Sequence, residues 1–242
     1  MTDFKGVSIV TGAVTETESL RRTVDYILEK CDHSDLTEII IGYPDRATPE
    51  CVAVIKELEA MQSDVSIWSF VQKRPRLGFL TEAFDAVKGS HVITVDSDMA
   101  LDLDLIPQMI EGAKKEPDTI FSASRWIDGG SFEGYNKFKK VLNYCSQKFL
   151  AVLYQSKLTD FTIPFQIAPA ELLKSINFEE TNFAIFIEMV LKPLRLGCKI
   201  KELPTNCHSR TEGESSNSFA QLPFYLKTAL HIRFMPKEKI LK

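Results

Sequence analysis

Two aspartates, Asp96 and Asp98, directly follow a strongly apolar segment near the middle of this 242-residue chain. That segment, His91 to Val95, has the composition of a buried strand. Where such a strand ends the chain turns, and carboxylates at alternate positions can then converge on one point. Two carboxylates suit Mg²⁺ or Mn²⁺ and leave other positions of the metal for phosphate oxygens and water. Aspartates after a strand also serve as turn formers or helix caps, so the rest of the chain must decide between these interpretations.

The elements before this pair alternate between strand and helix. Strands are predicted at Val7 to Thr11, Thr37 to Ile41 and Val65 to Val71, with a helix after each. Thr48-Pro49 is a typical helix start, because proline is favoured at the first helical position. This alternation predicts an α/β fold with a mostly parallel central sheet flanked by helices. Ligands of such sheets bind beyond the carboxyl ends of the strands, where the two aspartates lie.

The second half of the chain continues the pattern. It contains three predicted strands and two predicted helices, one basic and one apolar. Their bounds are Asp118 to Ser124, Asp160 to Ala168 and Cys198 to Leu203 for the strands, and Lys137 to Gln155 and Asn182 to Leu196 for the helices. Gly197 is expected to end the apolar helix, as glycine commonly does. We predict one domain over residues 1–216 and a basic amphipathic extension of it over residues 217–242.

Composition and charge restrict the classes of function. A net charge of −4 gives no support for a general nucleic-acid binder. The five cysteines include no C-x-x-C pair and, with four histidines, form no zinc pattern, so we expect reduced thiols. The N-terminus lacks the apolar run of a signal peptide, and no apolar run approaches the roughly 20 residues that span a bilayer. We expect a cytoplasmic protein, either free or peripheral on the cytoplasmic face of a membrane.

Several short motifs occur in an order and spacing that together are specific. Arg74-Pro-Arg-Leu-Gly78 precedes the aspartates, and Val95-Asp-Ser-Asp98 is followed by Asp104-Leu-Ile-Pro. Ser124-Arg125 comes next, and Arg210-Thr-Glu-Gly213-Glu-Ser215 lies near the end. Over about residues 7–216 the chain resembles glycosyltransferase family 2 with the GT-A fold. The closest resemblance is to dolichyl- and polyprenyl-phosphate mannosyl- or glucosyltransferases.

The resemblance implies a metal-dependent transfer of a sugar from a nucleotide-diphospho-sugar. The acceptor would be a polyprenyl (dolichyl) phosphate or a glycan, and the cofactor Mg²⁺ or Mn²⁺. The implied metal ligands are Asp96 and Asp98, and the implied catalytic residues are Asp98, Arg125, Glu188 and Arg210. The implied nucleotide-sugar contacts are Glu16, Asp45, Arg76, Gly78, Asp96 and Ser215.

Most of these polar residues also have a purely structural interpretation. Arg125 fits a surface salt bridge, Glu16 fits the first turn of a helix, and Asp45 fits a turn. Glu188 lies in an otherwise apolar helix, so it needs a partner or faces the cleft. The resemblance implies that it would act there as a general base for a hydroxyl acceptor. Arg210 lies in a polar segment rich in glycine and serine, which favours a lid that orders over the donor.

The chain departs from the family at the ends of its first two strands. The first leads into Gly12-Ala-Val-Thr15-Glu16, where the family has Pro-x-Tyr-Asn-Glu, and Thr15-x-x-Glu18 has the form of a capping box. The second ends in Gly42-Tyr-Pro-Asp45, where the family has Asp-Asp-Gly-Ser. These departures leave open a non-catalytic nucleotide-sugar-binding module of the same fold. The other alternative is a nucleotidyltransferase, which would need a glycine-rich phosphate loop after the first strand, and Gly12-Ala-Val-Thr15 is a poor one.

The Lys137 to Gln155 helix and the tail from Phe219 to Lys242 are amphipathic and basic. Such segments can rest on an anionic membrane surface, close to a lipid-phosphate acceptor. The same pattern fits an ordinary surface helix with one face in the core and its lysines in solvent.

Overall fold

The computed structural model describes residues 2–133, 137–208 and 222–242. The strands of the main sheet are β1 (Val7–Gly12), β2 (Leu36–Tyr43), β3 (Ser66–Val71), β4 (His91–Thr94), β5 (Ile120–Ser124), β7 (Gln166–Pro169) and β8 (Ile200–Pro204). A separate small sheet pairs β6 (Ser131–Phe132) with β9 (Asn206–Cys207). The helices are α1 (Glu18–Lys30), α2 (Pro49–Glu59), α3 (Phe79–Ala86), α4 (Leu105–Lys115), α5 (Lys137–Tyr154), α6 (Ala170–Ser175), α7 (Ile185–Leu196) and α8 (Leu222–Phe234).

The main sheet has the strand order β3-β2-β1-β4-β7-β5-β8. Strands β3, β2, β1 and β4 are parallel, and so are β5 and β8, whereas β7 runs antiparallel to both of its neighbours. The predicted mostly parallel α/β sheet is therefore confirmed. The chain builds β2 and β3 on one side of β1 and then returns to place β4 on the other side. Ligands of open α/β sheets bind at such a switch point, outside the carboxyl ends of the strands.

Helices cover both faces of this sheet. Ile39 and Ile41 of β2 pack into one apolar cluster with α1, α2 and α4. Ile40, between them, packs into a second cluster with α3, α6 and α7 on the opposite face. Burial on both faces explains why β2 is a continuous apolar run.

Two local predictions are confirmed. The hydroxyl of Thr48 accepts a hydrogen bond from the backbone N–H of Cys51 at 3.3 Å, so Thr48 caps α2 with Pro49 behind it. Gly197 has φ 88°, a left-handed conformation that ends α7.

Two other local predictions are wrong. The capping box at Thr15 does not form, because α1 begins at Glu18 after Thr17, and the Glu16 carboxylate accepts from the backbone amides of Val14 and Thr15 instead. The strand predicted from Asp160 to Ala168 begins only at Gln166. Its first residues curl into a turn, in which the Asp160 carboxylate accepts from the N–H of Thr162 at 3.3 Å.

The two edges of the main sheet differ. Strand β8 forms one edge and ends at Pro204, which has no N–H to offer another strand. Strand β3 forms the other edge. There the Glu59 carboxylate, at the end of α2, accepts from both the backbone N–H and the hydroxyl of Ser69, at 2.7 and 2.6 Å.

The C-terminal residues pack on the second half of the domain. Ala229 and Ile232 of α8 are buried against Ile187 and Leu191 of α7. Tyr154, at the end of α5, donates its hydroxyl hydrogen to the carbonyl of Ala229 at 2.6 Å. The boundary predicted between residues 216 and 217 lies outside the described residues. None of the described helices is long and apolar enough to cross a membrane.

Candidate active site

A cavity of about 470 Å³ opens at the carboxyl ends of β1, β2, β3 and β4. Its floor is formed by residues that follow these strands, and its opposite wall by residues at the start of α7 and by one residue of α8. The polar lining side chains are Glu16, Arg46, Gln72, Arg76, Asp96, Ser97, Asp98 and Asn182, and the aromatic ones are Phe79, Phe183, Phe186 and Phe224.

Asp96 and Asp98 both line this cavity. Asp96 is half-buried, and Asp98 is only 4% exposed. An Asp98 carboxylate oxygen accepts from the backbone N–H of Ala100 at 3.0 Å, which closes the turn. Ser97, between them, donates its hydroxyl hydrogen to the carbonyl of Gly12 at 2.7 Å and ties the turn to β1. The turn is therefore fixed in a shape that brings both carboxylates to one cavity.

The segment before residue 209 supports the same turn from the other side. The backbone N–H of His208 donates to the carbonyl of Ala100 at 2.8 Å, and Leu101 forms a β-bridge with Cys207. Arg210 and Ser215, predicted in the following segment, lie outside the described residues, and their functions stay predictions.

The donor set at the turn suits a hard divalent cation. Over residues 2–133, 137–208 and 222–242 no group of three or more His, Cys, Asp or Glu side chains is arranged to hold a metal ion. Asp96 and Asp98 provide carboxylate oxygens only. Mg²⁺ is commonly held by one or two carboxylates with substrate phosphates and water as its other ligands. These two residues thus fit a metal whose coordination is completed by a bound diphosphate.

Phe79 explains the unusual ends of β1 and β2. It is the first residue of α3, and its ring lies against the backbone of Gly12 and Gly42. A Cβ atom on Gly12 would lie 2.5 Å from the ring, and one on Gly42 would lie 2.6 Å from it. The ring leaves no room for a side chain at either position, so the two glycines belong to one packing arrangement.

Gln72 lies directly after β3 and lines the cavity. It is 8% exposed. Its side-chain NH₂ donates to the carbonyls of Arg74 and Arg76, at 2.6 and 2.9 Å. These two bonds fix both the loop and the orientation of the amide.

The predicted Arg76 and Gly78 lie in this loop with different surroundings. Arg76 is exposed, lines the cavity and has φ 56°, in the left-handed region. Gly78 is buried, and a Cβ atom there would lie 2.4 Å from the Cβ of Arg74. Gly78 therefore permits close packing of the loop, whereas its neighbours Leu77 and Phe79 contact the cavity.

Glu16 and Asp45 also differ in placement. Glu16 is half-buried and lines the cavity, and its carboxylate accepts from Val14 N–H at 2.7 Å. Asp45 is exposed on the turn after β2, where Pro44 and Arg46 provide the cavity lining.

Arg125 forms a buried ion pair at the end of β5. Its guanidinium donates to both carboxylate oxygens of Asp160, at 2.7 and 2.9 Å, and to the hydroxyl of Thr162 at 3.1 Å. The structural alternative for Arg125, a salt bridge, is thus present, but in the interior rather than on the surface. Arg125 is not part of the cavity lining, and its catalytic function stays a prediction.

Glu188 has the partner that its burial requires. Its carboxylate lies 2.5 Å from the Lys192 ammonium, and both side chains are buried. It also accepts from the backbone amides of Glu179 and Glu180, at 3.1 and 2.8 Å. Burial raises the pKa of Glu188, while Lys192 and these amides oppose the rise. Glu188 is not part of the cavity lining, and its function as a general base stays a prediction.

Several lining residues were not singled out from the sequence. Phe183 and Phe186 are spaced as ordinary core residues of a helix, so their pattern gives no functional signal. Asn182 caps this helix start by accepting from the N–H of Ala184 at 2.7 Å. Phe224 comes from α8, far away in sequence. Gln72 belongs to none of the sequence motifs.

A model of glycosyl transferase family 2 matches residues 8–192, which is most of the chain. The chain belongs to glycosyl transferase family 2.

Two curated relatives share part of this family 2 chain. Glycosyltransferase AglD of Haloferax volcanii is 22% identical over 207 residues, covering 83% of this chain and 32% of its own length. Undecaprenyl-phosphate mannosyltransferase of Micrococcus luteus is 24% identical over 130 residues, covering 52% of this chain and 53% of its own. The family 2 chain therefore spans about a third and about half of these relatives.

Solved structures share the fold of this family 2 chain. Glucosyl-3-phosphoglycerate synthase from Mycobacterium tuberculosis, in complex with Mn²⁺, UDP and phosphoglyceric acid, superposes with a TM-score of 0.69 at 18% identity. That comparison covers 96% of this chain and 80% of the synthase chain. The same enzyme with Mg²⁺ and UDP gives a TM-score of 0.70 at 19% identity, over the same shares of the two chains. These similarities confirm the predicted GT-A fold.

Proposed function

We propose that this family 2 protein transfers a sugar from a nucleotide-diphospho-sugar to a polyprenyl phosphate. The observation that carries the proposal is the placement of Asp96 and Asp98 in one cavity at the carboxyl ends of the parallel strands. This is the position at which a nucleotide is bound in such sheets. The metal would be Mg²⁺ or Mn²⁺, as in the two synthase complexes.

The difficult feature of this reaction is the charge that accumulates on the departing nucleoside diphosphate. A divalent metal held by Asp96 and Asp98 would stabilise that charge without proton transfer. The chain itself fixes the two carboxylates through the Ser97–Gly12 and Asp98–Ala100 hydrogen bonds. A site that is already ordered stabilises the transition state with little reorganisation. A phosphate acceptor is already anionic, so this reaction requires no general base.

The acceptor is suggested by two exposed apolar rows. On α5, Phe138, Val141, Cys145, Phe149 and Val152 recur every three or four residues and are exposed. On α8, Leu226, Leu230 and Phe234 recur every four residues and are exposed. We call these eight residues the α5–α8 apolar surface. Exposed lysines accompany it at positions 137, 140, 148 and 227. This combination is typical of helices that lie on an anionic membrane surface.

Phe224 connects this surface to the cavity. It lies in the first turn of α8, two residues before Leu226, and it also lines the cavity. A lipid chain lying along α8 would therefore present its phosphate end near the donor. The name of the Micrococcus luteus relative, an undecaprenyl-phosphate mannosyltransferase, supports the same class of acceptor.

Turnover is the direct test. The purified protein is incubated with UDP- or GDP-sugars, Mn²⁺ and a short-chain polyprenyl phosphate in detergent, and release of nucleoside diphosphate is measured. We expect release that requires both metal and lipid phosphate. A protein that binds a nucleotide-sugar without releasing nucleoside diphosphate would instead be the non-catalytic binding module.

Membrane contact is tested separately by vesicle flotation with anionic lipid. We expect binding at low salt that weakens as salt is added, because the lysine attraction is screened. Val152→Glu should lower the fraction bound about tenfold, since it removes apolar contact and adds repulsion. Val71→Glu is the matched control, because Val71 is also an exposed valine but lies at the end of β3. Equal losses in both variants would contradict a specific α5–α8 contact.

A further inference from the structure

We propose that Gln72 reads the nucleobase of the donor and selects a base with an N–H on its pairing edge, such as uracil or guanine. This inference rests on the proposed function, because it assumes that a nucleotide-sugar occupies the cavity. Gln72 belongs to none of the sequence motifs, and it would bind the base in place of a carboxylate that the family resemblance leads us to expect at the end of β2.

The position of Gln72 follows from the sheet. The diphosphate is expected at Asp96 and Asp98, after β4, and Gln72 follows β3. In the order β3-β2-β1-β4 these strands are three steps apart. At about 4.8 Å per step this is roughly 14 Å, a span suited to an extended nucleoside diphosphate. The base would then lie over the ends of β2 and β3, where Gly42, Pro44 and Phe79 line the cavity.

The chemistry of Gln72 is fixed by its surroundings. Both hydrogens of its NH₂ group are directed to carbonyls, those of Arg74 and Arg76. Reversing the amide would place its oxygen against these two carbonyl oxygens, so the orientation is determined. The side-chain oxygen is the group that remains, and no donor among the described residues bonds to it. Gln72 therefore offers the cavity a hydrogen-bond acceptor and no donor.

An acceptor with a fixed orientation discriminates between bases. Uracil carries a hydrogen on N3 and guanine carries one on N1, and each can donate to the Gln72 oxygen. Cytosine at N3 and adenine at N1 present acceptors instead, which would leave two acceptors facing each other. A buried site that must hydrogen-bond its ligand rejects an analogue that cannot do so. The exposed residues Arg46 and Arg76 also line the cavity, and their guanidinium groups can donate to O2 and O4 of uracil or to O6 of guanine.

The end of the neighbouring strand β2 lacks the acidic side chain that could bind the base instead of Gln72. Gly42 stands where the family carries an aspartate, and the Phe79 ring fills the space above it. The cavity carboxylates Glu16, Asp96 and Asp98 follow β1 and β4. None of the described lining residues that follow β2 or β3 is acidic.

The test is a cycle that changes the residue and the ligand. Isothermal titration with Mn²⁺ compares UDP with N3-methyl-UDP, and GDP with N1-methyl-GDP, in the wild-type protein and in Gln72→Leu. For the nucleotide that binds, we expect methylation to weaken wild-type binding about tenfold or more, as expected for an unpaired buried acceptor. In Gln72→Leu the same methylation should change binding less than about twofold. Gln108→Leu is the matched control, because Gln108 is an exposed glutamine of α4 outside the cavity lining, and it should keep the wild-type sensitivity.

The outcomes separate two failures. If none of UDP, GDP, CDP and ADP binds the wild-type protein, the nucleotide-sugar donor is wrong and the proposed function fails with it. If UDP or GDP binds but methylation weakens both proteins equally, Gln72 does not read the base. Wild-type binding of CDP or ADP as tight as that of UDP and GDP also overturns the selection, and this comparison needs no variant. It therefore stands even if Gln72→Leu does not fold.

Discussion

Four acidic residues of this molecule, two in the core and two at the cavity, occupy contrasting places. Asp160 and Glu188 are fully buried, and each is held by a cation of the protein, Arg125 and Lys192 respectively. Asp96 and Asp98 lie at the end of β4 and line the cavity. Inside the core a carboxylate is tolerated because a nearby cation and several N–H groups replace water. At the cavity a carboxylate can instead interact with a ligand, so placement rather than burial separates the two groups.

The largest expected effect concerns the cavity group. Asp98→Asn should lower sugar transfer about 10³-fold, or about 4 kcal/mol, because an amide cannot hold the metal that stabilises the leaving diphosphate. The melting temperature should change by only a few degrees, since an amide oxygen can still accept from Ala100 N–H. Steady-state kinetics and calorimetry measure the two effects. Asp104→Asn is the control, because Asp104 is exposed and outside the cavity lining. Normal sugar transfer by Asp98→Asn would contradict the functional difference between the cavity acids and the core acids.

The buried, ion-paired acids should show the opposite behaviour, with a large effect on stability and a small effect on sugar transfer. Glu188→Ala leaves the buried ammonium of Lys192 poorly compensated and should lower the free energy of unfolding by about 3 kcal/mol. Urea unfolding measures this loss. The double variant Glu188→Leu with Lys192→Met should recover much of it, because no charge is then left unpaired.

Glu188→Ala and the double variant also test the prediction that Glu188 is a general base. If its function is structural, transfer per folded molecule should stay within a few-fold of the wild type for both variants. A loss of transfer that persists in the stable double variant would assign Glu188 to catalysis and remove the distinction between the two groups.

A smaller effect is expected from restoring the family's carboxylate after β2. Gly42→Asp should lower the free energy of unfolding by about 1–3 kcal/mol, because its Cβ would collide with the Phe79 ring. Adding Phe79→Ala should relieve the collision, so the two substitutions should not be additive in thermal unfolding. Additive losses would mean that the ring does not determine the glycine. This test shows whether an acid at position 42 could be accommodated beside the cavity acids Asp96 and Asp98.

The smallest effect concerns a buried base away from the cavity. His91 in β4 bonds to the Pro117 carbonyl at 2.8 Å and lies beside Asp118, and burial lowers its pKa although both neighbours oppose the change. The unfolded chain therefore binds a proton more readily than the folded one as the pH falls through about 6.5. Stability from this group is complete above that pH and is lost below it, by on the order of 1 kcal/mol. Denaturant unfolding at pH 7.5 and 5.5 should show the loss in the wild type but not in His91→Gln. Exposed His33 is the control: His33→Gln should keep the wild-type dependence.

Local sequence predicted much of the fold because the signals are local. Apolar runs, the Thr48-Pro49 helix start and Gly197 each depend on neighbouring residues, and each matches an element of the structure. The antiparallel direction of β7 and the turn at Asp160 depend on partners in other elements. No local pattern in these segments reports those partners.

The site divides in the same way. The aspartate pair was predictable because strand and turn chemistry are encoded in adjacent residues. The contact of Phe79 with Gly12 and Gly42 joins three elements, so the two glycines were visible only as departures from the family. Gln72 has a defined chemistry only because Arg74 and Arg76 occupy its hydrogens. Phe224 reaches the cavity from α8, a helix whose apolar residues form no pattern that indicates a site.

The Glu59–Ser69 contact at the β3 edge has a consequence for how molecules meet in concentrated solution. An edge strand with unpaired N–H groups can recruit a strand from another molecule and begin aggregation. Strand β3, Ser-Ile-Trp-Ser-Phe-Val, contains no charge and no proline to prevent this. The Glu59 carboxylate occupies the Ser69 N–H that an incoming strand would use. We therefore expect one side chain of α2 to hinder strand addition at this edge, a protection unrelated to folding or to catalysis.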